Sequence, residues 1–574
     1  MSAALLRTPW RRRRGLAASL AGLVLLSACT LALAAPDTRP GKAAIASAHP
    51  LATEAGLEIL AQGGNAFDAA IAVGAVLSVV EPQSSGIGGG GFFLLHRAAD
   101  GQDLFLDARE TAPAGTRTEL WIGADGKLDR DKSVNGPLSA GIPGEPAAYA
   151  WLAEHQGKLP LATSLAPAIR VAREGFPAYG RLVSAIGQRR PVLERWPASA
   201  GLYLIDGQVP AEGQRVRFPD LAATLERIAK DGDAGFYRGA FAASMVQAVR
   251  AAGGTWTERD LADYRVKTRT PLTLDYRGWR IVTAPPPSSG GIALSEMLNI
   301  LSGYDLSRLD RVRRTHLTIE AMRRAYRDRA EYLGDPDYVT MPVAELTSPL
   351  YAAGLRASIH PEKATPSALL PGYAPPVEPT HTTHYSILDA DGNLAAVTKT
   401  VNLTLGSGFV VPGSGFVLNN EMDDFALRPG EPNAFGLIGG DANAPKPGRR
   451  PLSSMTPSFV IGADRIGVIG TPGGSRIITM VLEGILAFVD GDAPAKVAAN
   501  PRFHHQYLPD VVSAEPNAFS AEERRALEAM GHTVNAGERT WGLMNVVSWD
   551  RRSGAVEAGS DPRGSAGSGS AAVR

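Results

Sequence analysis

The pattern of hydrophobic and polar residues divides the chain into a mainly helical first part and a strand-rich last part. Residues 49–62 and 66–79 carry helical periodicity, and the second stretch is so rich in Ala and Val that we expect it to be buried on most faces. Between about 145 and 360 further helical stretches end at Gly or Asp. After Pro379 short runs typical of β-strands take over, and one more helix is predicted at 476–488. The strand-like runs are 382–389, 394–402, 459–461 and 466–470.

Two β-hairpins are predicted from turn signals. Residues 92–96 and 104–108 are expected to pair across the turn Asp100-Gly101. The runs that begin at Thr382 and Leu394 flank Ala390-Asp391-Gly392, a strong turn signal.

The second hairpin makes a specific prediction about register. If its loop is those three residues, the residue numbers of each pair add to a constant, and Thr382 lies opposite Thr400. An error of one residue in the loop length would move the partner of Thr382 to Val401 and turn the side chains to the other face. Alternation rich in Thr is also what an ordinary strand shows, so the register alone assigns no chemistry.

The composition allows a large folded core and disfavours nucleic acid as the main partner. The chain has 574 residues, 44% of them hydrophobic and 20% charged. Lys and Arg together number 58, as do Asp and Glu, whereas nucleic-acid-binding domains usually have a basic excess. Cys29 is the only cysteine, so the rest of the chain has no disulfide and no cysteine metal site.

Residues 1–35 have the pattern of a signal peptide. Arg11 to Arg14 precede the apolar run 16–28, which is too short to span a membrane comfortably. Ala32-Leu33-Ala34 fits ordinary cleavage, whereas Leu26-Ser27-Ala28-Cys29 resembles a lipobox in which Cys29 would be lipidated. Both alternatives predict an exported protein, periplasmic or secreted, and the second predicts a membrane-anchored lipoprotein.

Two other motifs carry less weight. Gly86-x-Gly88-x-x-Gly91 satisfies a dinucleotide-binding pattern, but it precedes a strand-like run where a helix should start. His504-His505 has no further His or carboxylate at helical spacing, so we interpret it as structural and expect no metal.

Seven blocks in order resemble the γ-glutamyltransferase family of N-terminal-nucleophile hydrolases. The resemblance extends from about residue 43 to residue 563. The blocks are EPQSSGIGGGGF (81–92), DARETAP (107–113), PPPSSGG (285–291), TTHYS (382–386), LNNEMDDF (418–425), RPLSSM (450–455) and GTPGGSRI (470–477).

The resemblance implies an α+β fold, a four-layer αββα sandwich with two stacked antiparallel sheets between helices. It also implies self-cleavage of a precursor between His381 and Thr382. The large subunit, 36–381, and the small subunit, 382–574, would then form a heterodimer with one shared core. We expect the Gly/Ser/Ala-rich tail, 564–574, to be disordered.

The resemblance assigns the catalytic groups. Thr382, once N-terminal, would supply a hydroxyl nucleophile and an α-amine with an ordinary pKa of about 7.7–8.0 as its base. Thr400 would orient Thr382. Gly473 and Gly474 would form the oxyanion hole with backbone N–H groups, which stabilise the negative charge that develops on an attacked carbonyl.

The resemblance also assigns a pocket for a γ-glutamyl group. Arg109 would bind its α-carboxylate, helped by Ser453 and Ser454, because a guanidinium suits bidentate pairing. The groups around its ammonium would be Asn402, Glu421 and Asp424. Residues 432–441 resemble a lid over this pocket, in which Phe435 stands where many bacterial members have a tyrosine that bonds to the residue matching Asn402.

The implied reaction transfers the γ-glutamyl group of glutathione or a related γ-glutamyl compound through a Thr382 ester to water or to an amino-acid or peptide acceptor. It needs no metal or organic cofactor. One alternative is an amidase of the same family resembling a glutaryl-cephalosporin acylase, but Asp424 favours a substrate with an ammonium. The other is an uncleaved, inactive binding protein, against which Thr382, Thr400 and Gly473-Gly474 argue.

Overall fold

Strands from both halves of the chain meet in two large β-sheets. The computed structural model describes residues 39–370, 382–564 and 570–574. The predicted leader with Cys29, and His381 of the predicted cleavage bond, lie outside these described residues.

The strands are β1 (Ala44–Ser47), β2 (Gly90–Arg97), β3 (Gln102–Ala108), β4 (Phe176–Pro177), β5 (Arg215–Val216), β6 (Lys267–Arg269), β7 (Leu272–Tyr276), β8 (Trp279–Thr283), β9 (Thr383–Leu388), β10 (Leu394–Thr400), β11 (Ser458–Ile461), β12 (Arg465–Gly470), β13 (Phe503–His504), β14 (Val512–Ala514), β15 (Val534–Ala536), β16 (Asn545–Asp550), β17 (Val556–Ser560) and β18 (Ser570–Val573).

The α-helices are α1 (Pro50–Ala61), α2 (Ala66–Val80), α3 (Arg130–Val134), α4 (Glu145–His155), α5 (Leu161–Glu174), α6 (Gly180–Leu193), α7 (Pro197–Tyr203), α8 (Pro219–Asp231), α9 (Ala234–Tyr237), α10 (Gly239–Ala251), α11 (Glu258–Asp263), α12 (Gly290–Ser302), α13 (Arg311–Tyr332), α14 (Val343–Leu346), α15 (Pro349–Ala357), α16 (Ile477–Val489), α17 (Pro494–Ala499) and α18 (Ala521–Ala529).

The first sheet has seven strands in the order β18-β1-β9-β10-β2-β3-β6, and the second has six in the order β17-β16-β12-β11-β8-β7. Neighbouring strands in both sheets are antiparallel. Each sheet joins strands from before residue 370 to strands from after residue 382, so the two parts of the chain share one core.

Alternating residues of the first sheet serve two separate cores. Phe93 and Leu95 of β2 pack with the helices α1 and α2, whereas Phe92 and Leu94 pack in the space between the sheets. The second sheet is covered on its other side by α12, α13 and α16. Because each fully buried Phe or Leu contributes roughly 1.5–3 kcal/mol, the two cores hold the four layers together. The predicted αββα sandwich is confirmed.

The predicted hairpin register is confirmed. Lys399 pairs with Thr383 and Leu394 with Leu388, as a three-residue loop requires. Asp389 fixes that loop, because its Oδ1 atom accepts from the backbone N–H of Asp391 at 3.0 Å and of Asn393 at 2.9 Å.

The middle of the chain is largely helical, as predicted, and it also contains β7 and β8, which complete the second sheet. One expectation is corrected. The tail is not disordered over its last residues: β18 pairs antiparallel with β1, and the backbone N–H of Ala43 donates to the carbonyl of Arg574 at 2.6 Å. Residues 565–569 of that tail lie outside the described residues. No helix in the described part of the chain has both the length and the apolar character to cross a membrane.

Candidate active site

Thr382 lies at the start of β9, on the face of the first sheet that is turned toward the second. Its hydroxyl donates to Oγ1 of Thr400 at 3.3 Å, across the end of the β9–β10 hairpin. Oγ1 of Thr400 also accepts from the backbone N–H of Asn402 at 2.7 Å. The left-handed φ of Asn402, 76°, turns the chain away from the sheet directly after β10. The hairpin and this turn therefore place all three polar side chains at one end of the space between the sheets.

A glycine pair follows β12 and leads into α16. Gly473 has a φ of 148° and Gly474 has a φ of 57°. Residues that carry a Cβ atom rarely adopt such positive φ angles. A Cβ atom on Gly473 would lie 2.3 Å from Cε of Met480. One short 3-10 turn, Gly474–Arg476, joins the pair to the helix, so its backbone N–H groups belong to the positive end of a helix dipole.

The predicted site residues surround one small cavity of about 20 Å³. Gly473 and Glu421 lie beside it, since Gly473 precedes Gly474 and Glu421 binds Arg109. The cavity is lined by Arg109, Arg329, Thr382, Thr400, Asn402, Asp424, Phe435, Leu437, Ser453, Ser454, Met455, Gly474 and Ile477.

Arg109 is surrounded by carboxylates. Its Nη1 atom donates to Oε2 of Glu421 at 2.7 Å, its Nη2 atom to Oδ2 of Asp424 at 2.5 Å, and Glu110 lies 3.6 Å away. Arg109 is only 1% exposed. The groups predicted to bind opposite ends of a substrate therefore bind each other here.

One guanidinium cannot neutralise three ionised carboxylates in a buried place. Burial raises the pKa of Glu110 to about 8. Burial likewise raises the pKa of Glu421 well above its ordinary value. Because ionising a second and a third carboxyl in this cluster is unfavourable, the cluster retains protons at neutral pH.

Ser453 and Ser454 are held against the segment before α12. The backbone N–H of Ser453 donates to the carbonyl of Pro287 at 2.9 Å, and its own carbonyl accepts from the hydroxyl of Ser289 at 2.7 Å. Two of the sequence blocks, 285–291 and 450–455, therefore act as one structural unit.

Arg329 of α13 was not predicted. Its Nε atom donates to Oγ of Ser289 at 3.0 Å and its Nη2 atom to Oγ of Ser454 at 3.4 Å. Burial lowers the pKa of Arg329. The polar sequence of α13 resembles that of an exposed helix, so periodicity gave no signal that this arginine reaches the cavity.

The glycine-rich block at 86–91 packs against the strand that carries Thr400. A Cβ atom on Gly89 would lie 2.0 Å from the carbonyl oxygen of Thr400. At the start of the same block, Oε2 of Glu81 accepts from the hydroxyl of Thr383 at 2.8 Å. These glycines allow close backbone approach behind Thr382 and Thr400.

Phe435 covers the cavity from the loop 432–441 and is 5% exposed. The loop is anchored through its backbone: Ala434 N–H donates to Oδ2 of Asp423 at 2.8 Å, and Nε2 of Gln506 donates to the carbonyl of Gly436 at 3.2 Å. The amide of Asn402 donates instead to the carbonyl of Asn420 at 2.9 Å.

His504 and His505 bond to protein groups. Nδ1 of His504 lies 2.8 Å from Oγ1 of Thr479, and Nε2 of His505 lies 3.2 Å from Oδ1 of Asp510. Elsewhere, His316, Glu320 and His532 bring their ligand atoms within 4.8 Å of one another. Their ligand atoms are already engaged, because His316 and His532 bond to each other and Glu320 pairs with Arg324 at 2.7 Å.

The chain is similar to known proteins over nearly its whole length. The chain is 38% identical to the glutathione hydrolase proenzyme of Escherichia coli (strain K12) over 97% of this chain and 98% of the relative. It is 40% identical to the glutathione hydrolase proenzyme of Pseudomonas aeruginosa over 95% and 96%. A solved cephalosporin acylase from Bacillus halodurans superposes with a TM-score of 0.82 at 31% identity, covering 92% of this chain and 95% of that one.

A solved γ-glutamyltranspeptidase from Helicobacter pylori superposes with a TM-score of 0.55 at 37% identity, covering 57% of this chain and 94% of that one. The family model described as gamma-glutamyltranspeptidase matches residues 52–571. The chain therefore belongs to the γ-glutamyltranspeptidase family.

Proposed function

We propose that this enzyme removes the γ-glutamyl group from glutathione and related γ-glutamyl compounds through an ester on Thr382, and passes it to water or to an amino-acid or peptide amine. Membership of the family makes the chain a γ-glutamyl hydrolase and transferase. The observation that supports these residue roles most strongly is that one cavity is lined by Thr382, by Gly474 and by the paired charges of Arg109 and Asp424.

Maturation comes first. The hydroxyl of Thr382 attacks the carbonyl carbon of residue 381, the C–N bond breaks, and the amine that leaves is the α-amine of Thr382 itself. Water then hydrolyses the resulting ester. This frees both the hydroxyl and an α-amine that can accept a proton near neutral pH.

The same hydroxyl then attacks the γ-carbonyl of the substrate and gives its proton to the α-amine. Thr400 holds the Thr382 hydroxyl in place, and the N–H groups of Gly473 and Gly474 stabilise the oxyanion. The α-ammonium protonates the leaving amine as the C–N bond breaks. Water or an acceptor amine then attacks the ester carbonyl and gives a proton to the α-amine. The ester bond breaks, the hydroxyl of Thr382 regains its proton, and the γ-glutamyl group is released.

Substrate binding exchanges ion pairs. The α-carboxylate of the γ-glutamyl group binds Arg109, and the ammonium of the same group binds Asp424 and Glu421. Removing one partner from a buried ion pair costs about 3–5 kcal/mol, but a zwitterionic substrate replaces both partners at once. The Arg109–Asp424 pair is therefore a stable state of the closed pocket without substrate.

An acylase that prefers glutaryl groups is the second candidate, because a cephalosporin acylase is among the similar structures. A glutaryl group would take Arg109 but has no ammonium. It would separate Arg109 from Asp424 and supply no cation to Asp424 in exchange, which is unfavourable for a carboxylate in a closed pocket. The charges around the cavity thus favour the γ-glutamyl substrate.

The decisive experiment combines a denaturing gel with N-terminal sequencing. The purified protein should run as two fragments, the smaller beginning at Thr382. Thr382→Ala should remain a single chain without transferase activity, and Thr382→Ser, which keeps a hydroxyl, should still be cut. A cut and active Thr382→Ala protein would overturn the mechanism.

We also propose that the chain is exported to the periplasm or secreted, and that the state of Cys29 decides whether it is anchored. Use of the lipobox would place a diacylglyceryl group on Cys29, detectable by mass spectrometry, and Cys29→Ala would move activity out of the membrane fraction. A mature chain that starts at Ala35 or Pro36 would exclude lipidation.

A further inference from the structure

A large cleft of about 1050 Å³ adjoins the small cavity that Thr382 lines. Leu403, which follows Asn402, lines the cleft, and so does Arg476, two residues after Gly474. Gln506 joins the two spaces at a third point, because it lines the cleft and bonds to the carbonyl of Gly436 in the lid loop. The segments that begin at Asn402 and at Gly474 therefore lead from the lining of the small cavity into the lining of the cleft.

The cleft is strongly basic. Its lining has one carboxylate, Glu538, and five arginines. The arginines are Arg181, Arg189, Arg476, Arg539 and Arg563.

Two of these arginines are compensated by carboxylates outside the lining. Arg563 pairs with Glu515 at 2.7 Å, and Arg181 lies 3.7 Å from Glu81. Arg476 packs over the ring of Trp541, with 4.6 Å between its guanidinium carbon and the ring centre.

Arg189 and Arg539 differ from these. Among the residues that the structure describes, neither has a carboxylate within 4.0 Å. Arg189 donates from Nη2 to the carbonyl of Gly406 at 3.0 Å, and its buried Nε has no hydrogen-bond partner in the described part of the chain. Burial lowers the pKa of Arg189 to about 10, so an anion beside it would be bound favourably.

The reaction itself directs part of the substrate into this cleft, and this step rests on the proposed function. The α-carboxylate and ammonium of the γ-glutamyl group bind beside Arg109 and Asp424. The γ-carbonyl lies between Thr382 and Gly474. The amine portion of the substrate lies beyond that carbonyl, on the side away from Arg109 and Asp424. That portion must continue past Asn402 and Gly474, which is where the cleft begins.

We propose that Arg189 and Arg539 make the cleft selective for amines that carry a carboxylate, both as leaving groups and as acceptors. Peptides and amino acids with a free carboxylate would then be used better than the corresponding carboxamides. The two guanidinium groups act on the remote carboxylate and take no part in bond making, so they are specificity-determining residues.

The test compares two donors that differ only in that charge, glutathione and glutathione with its glycine carboxylate converted to a carboxamide. The measured quantity is the ratio of kcat/KM for the two donors, from glutamate release. Arg189→Gln and Arg539→Gln should each lower this ratio on the order of threefold to tenfold, as loss of one partly screened charge pair would do. Arg189→Lys should retain most of it.

Arg190→Gln is the matched control. Arg190 is the next residue of α6, pairs with Glu194 at 2.7 Å and does not line the cleft. The Arg190→Gln variant removes the same charge from the same helix and should leave the ratio of kcat/KM for the two donors unchanged. An unchanged ratio in both cleft variants, or an equal fall in Arg190→Gln, would overturn the proposal.

A neutral donor, γ-glutamyl-p-nitroanilide, separates this inference from the proposed function. If the unaltered protein hydrolyses the anilide but shows the same donor ratio as both cleft variants, the selectivity proposal fails and the proposed function stands. If it releases glutamate from none of the three donors, the proposed function fails. Raising the salt from about 50 mM to about 500 mM should also lower the ratio in the unaltered protein, since exposed charges are screened.

Discussion

Nη2 of Arg109 lies 2.5 Å from Oδ2 of Asp424, although the two residues come from segments more than 300 positions apart. Both residues line the small cavity, and Glu421 and Glu110 also lie beside the guanidinium of Arg109. Arg109 therefore has two roles in our proposal: it neutralises this cluster in the closed pocket, and it binds a carboxylate when substrate enters.

Arg109→Lys should separate these roles. Lysine keeps the charge but has no planar fork, so it cannot bind Glu421 and Asp424, or a substrate carboxylate, in the same bidentate way. We expect normal cleavage before Thr382 and a ten- to hundredfold loss of kcat/KM for γ-glutamyl donors, roughly 1.5–3 kcal/mol. Kinetics equal to those of the parent would contradict the pocket assignment. Arg109→Ala should show the same kinetic loss and also a lower melting temperature, since it leaves the carboxyl groups without a cation.

Asp424→Asn tests which acyl group the pocket is built for. The substitution removes a negative charge beside the expected ammonium but keeps an oxygen that can accept from Arg109. Use of γ-glutamyl donors should fall about tenfold or more, whereas use of a glutaryl amide should change little. The measurement is the ratio of the two kcat/KM values. An equal loss for both acyl groups would mean that Asp424 does not bind the ammonium.

Asp423 should make stability depend on pH. Burial raises its pKa to about 6, although it accepts from Ala434 N–H and from the hydroxyl of Ser133. A carboxyl group with a raised pKa in the folded state favours folding below its ordinary pKa of about 4, and that contribution is lost as the pH rises to about 6.

Asp423→Asn removes this titration. Between pH 4 and 6.5, the melting temperature of the parent should fall relative to that of the variant, by an amount corresponding to about 1.4 kcal/mol per pH unit at most. Thermal unfolding followed by circular dichroism at several pH values gives the difference, in which other titrating groups cancel. Parallel curves for the two proteins would show that Asp423 keeps an ordinary pKa.

The sequence predicted those parts of the site that depend on local geometry. The Asp391-Gly392 turn fixed the pairing of β9 and β10, and this pairing alone placed Thr382 beside Thr400. Gly473 and Gly474 were assigned from the family resemblance of residues 470–477, and their positive φ angles are ones that glycine adopts readily.

Contacts between distant segments were not predictable in the same way. Periodicity does not show that Arg109 pairs with Asp424, or that Arg329 of α13 reaches Ser454. The pairing of β18 with β1 was missed because the composition of the tail is typical of disorder, whereas its backbone satisfies the open edge of the first sheet. The basic cleft joins residues from α6 and from positions 535–543, far apart in the chain.

The loop 432–441, which we propose to act as a lid, offers a last test, because the family resemblance implies a tyrosine at the position of Phe435 in many bacterial members. The ring of Phe435 covers the cavity, but it has no hydroxyl with which to bond to Asn402. Backbone bonds to Asp423 and Gln506 hold the loop instead. We therefore expect the closed loop to be stable but less populated than it would be with one further hydrogen bond.

Phe435→Tyr should add that bond. A neutral hydrogen bond contributes about 0.5–1.5 kcal/mol, which would raise the population of the closed loop a few-fold to about tenfold. A closed loop excludes water, so hydrolysis should fall relative to transfer to glycylglycine, with cleavage before Thr382 unchanged. The measurement is the ratio of glutamate released to γ-glutamyl-glycylglycine formed. Phe435→Leu, which shortens the cover and adds no hydroxyl, should shift the ratio the opposite way. If Phe435→Tyr leaves the ratio unchanged, either the hydroxyl does not control this loop or the loop does not act as a lid.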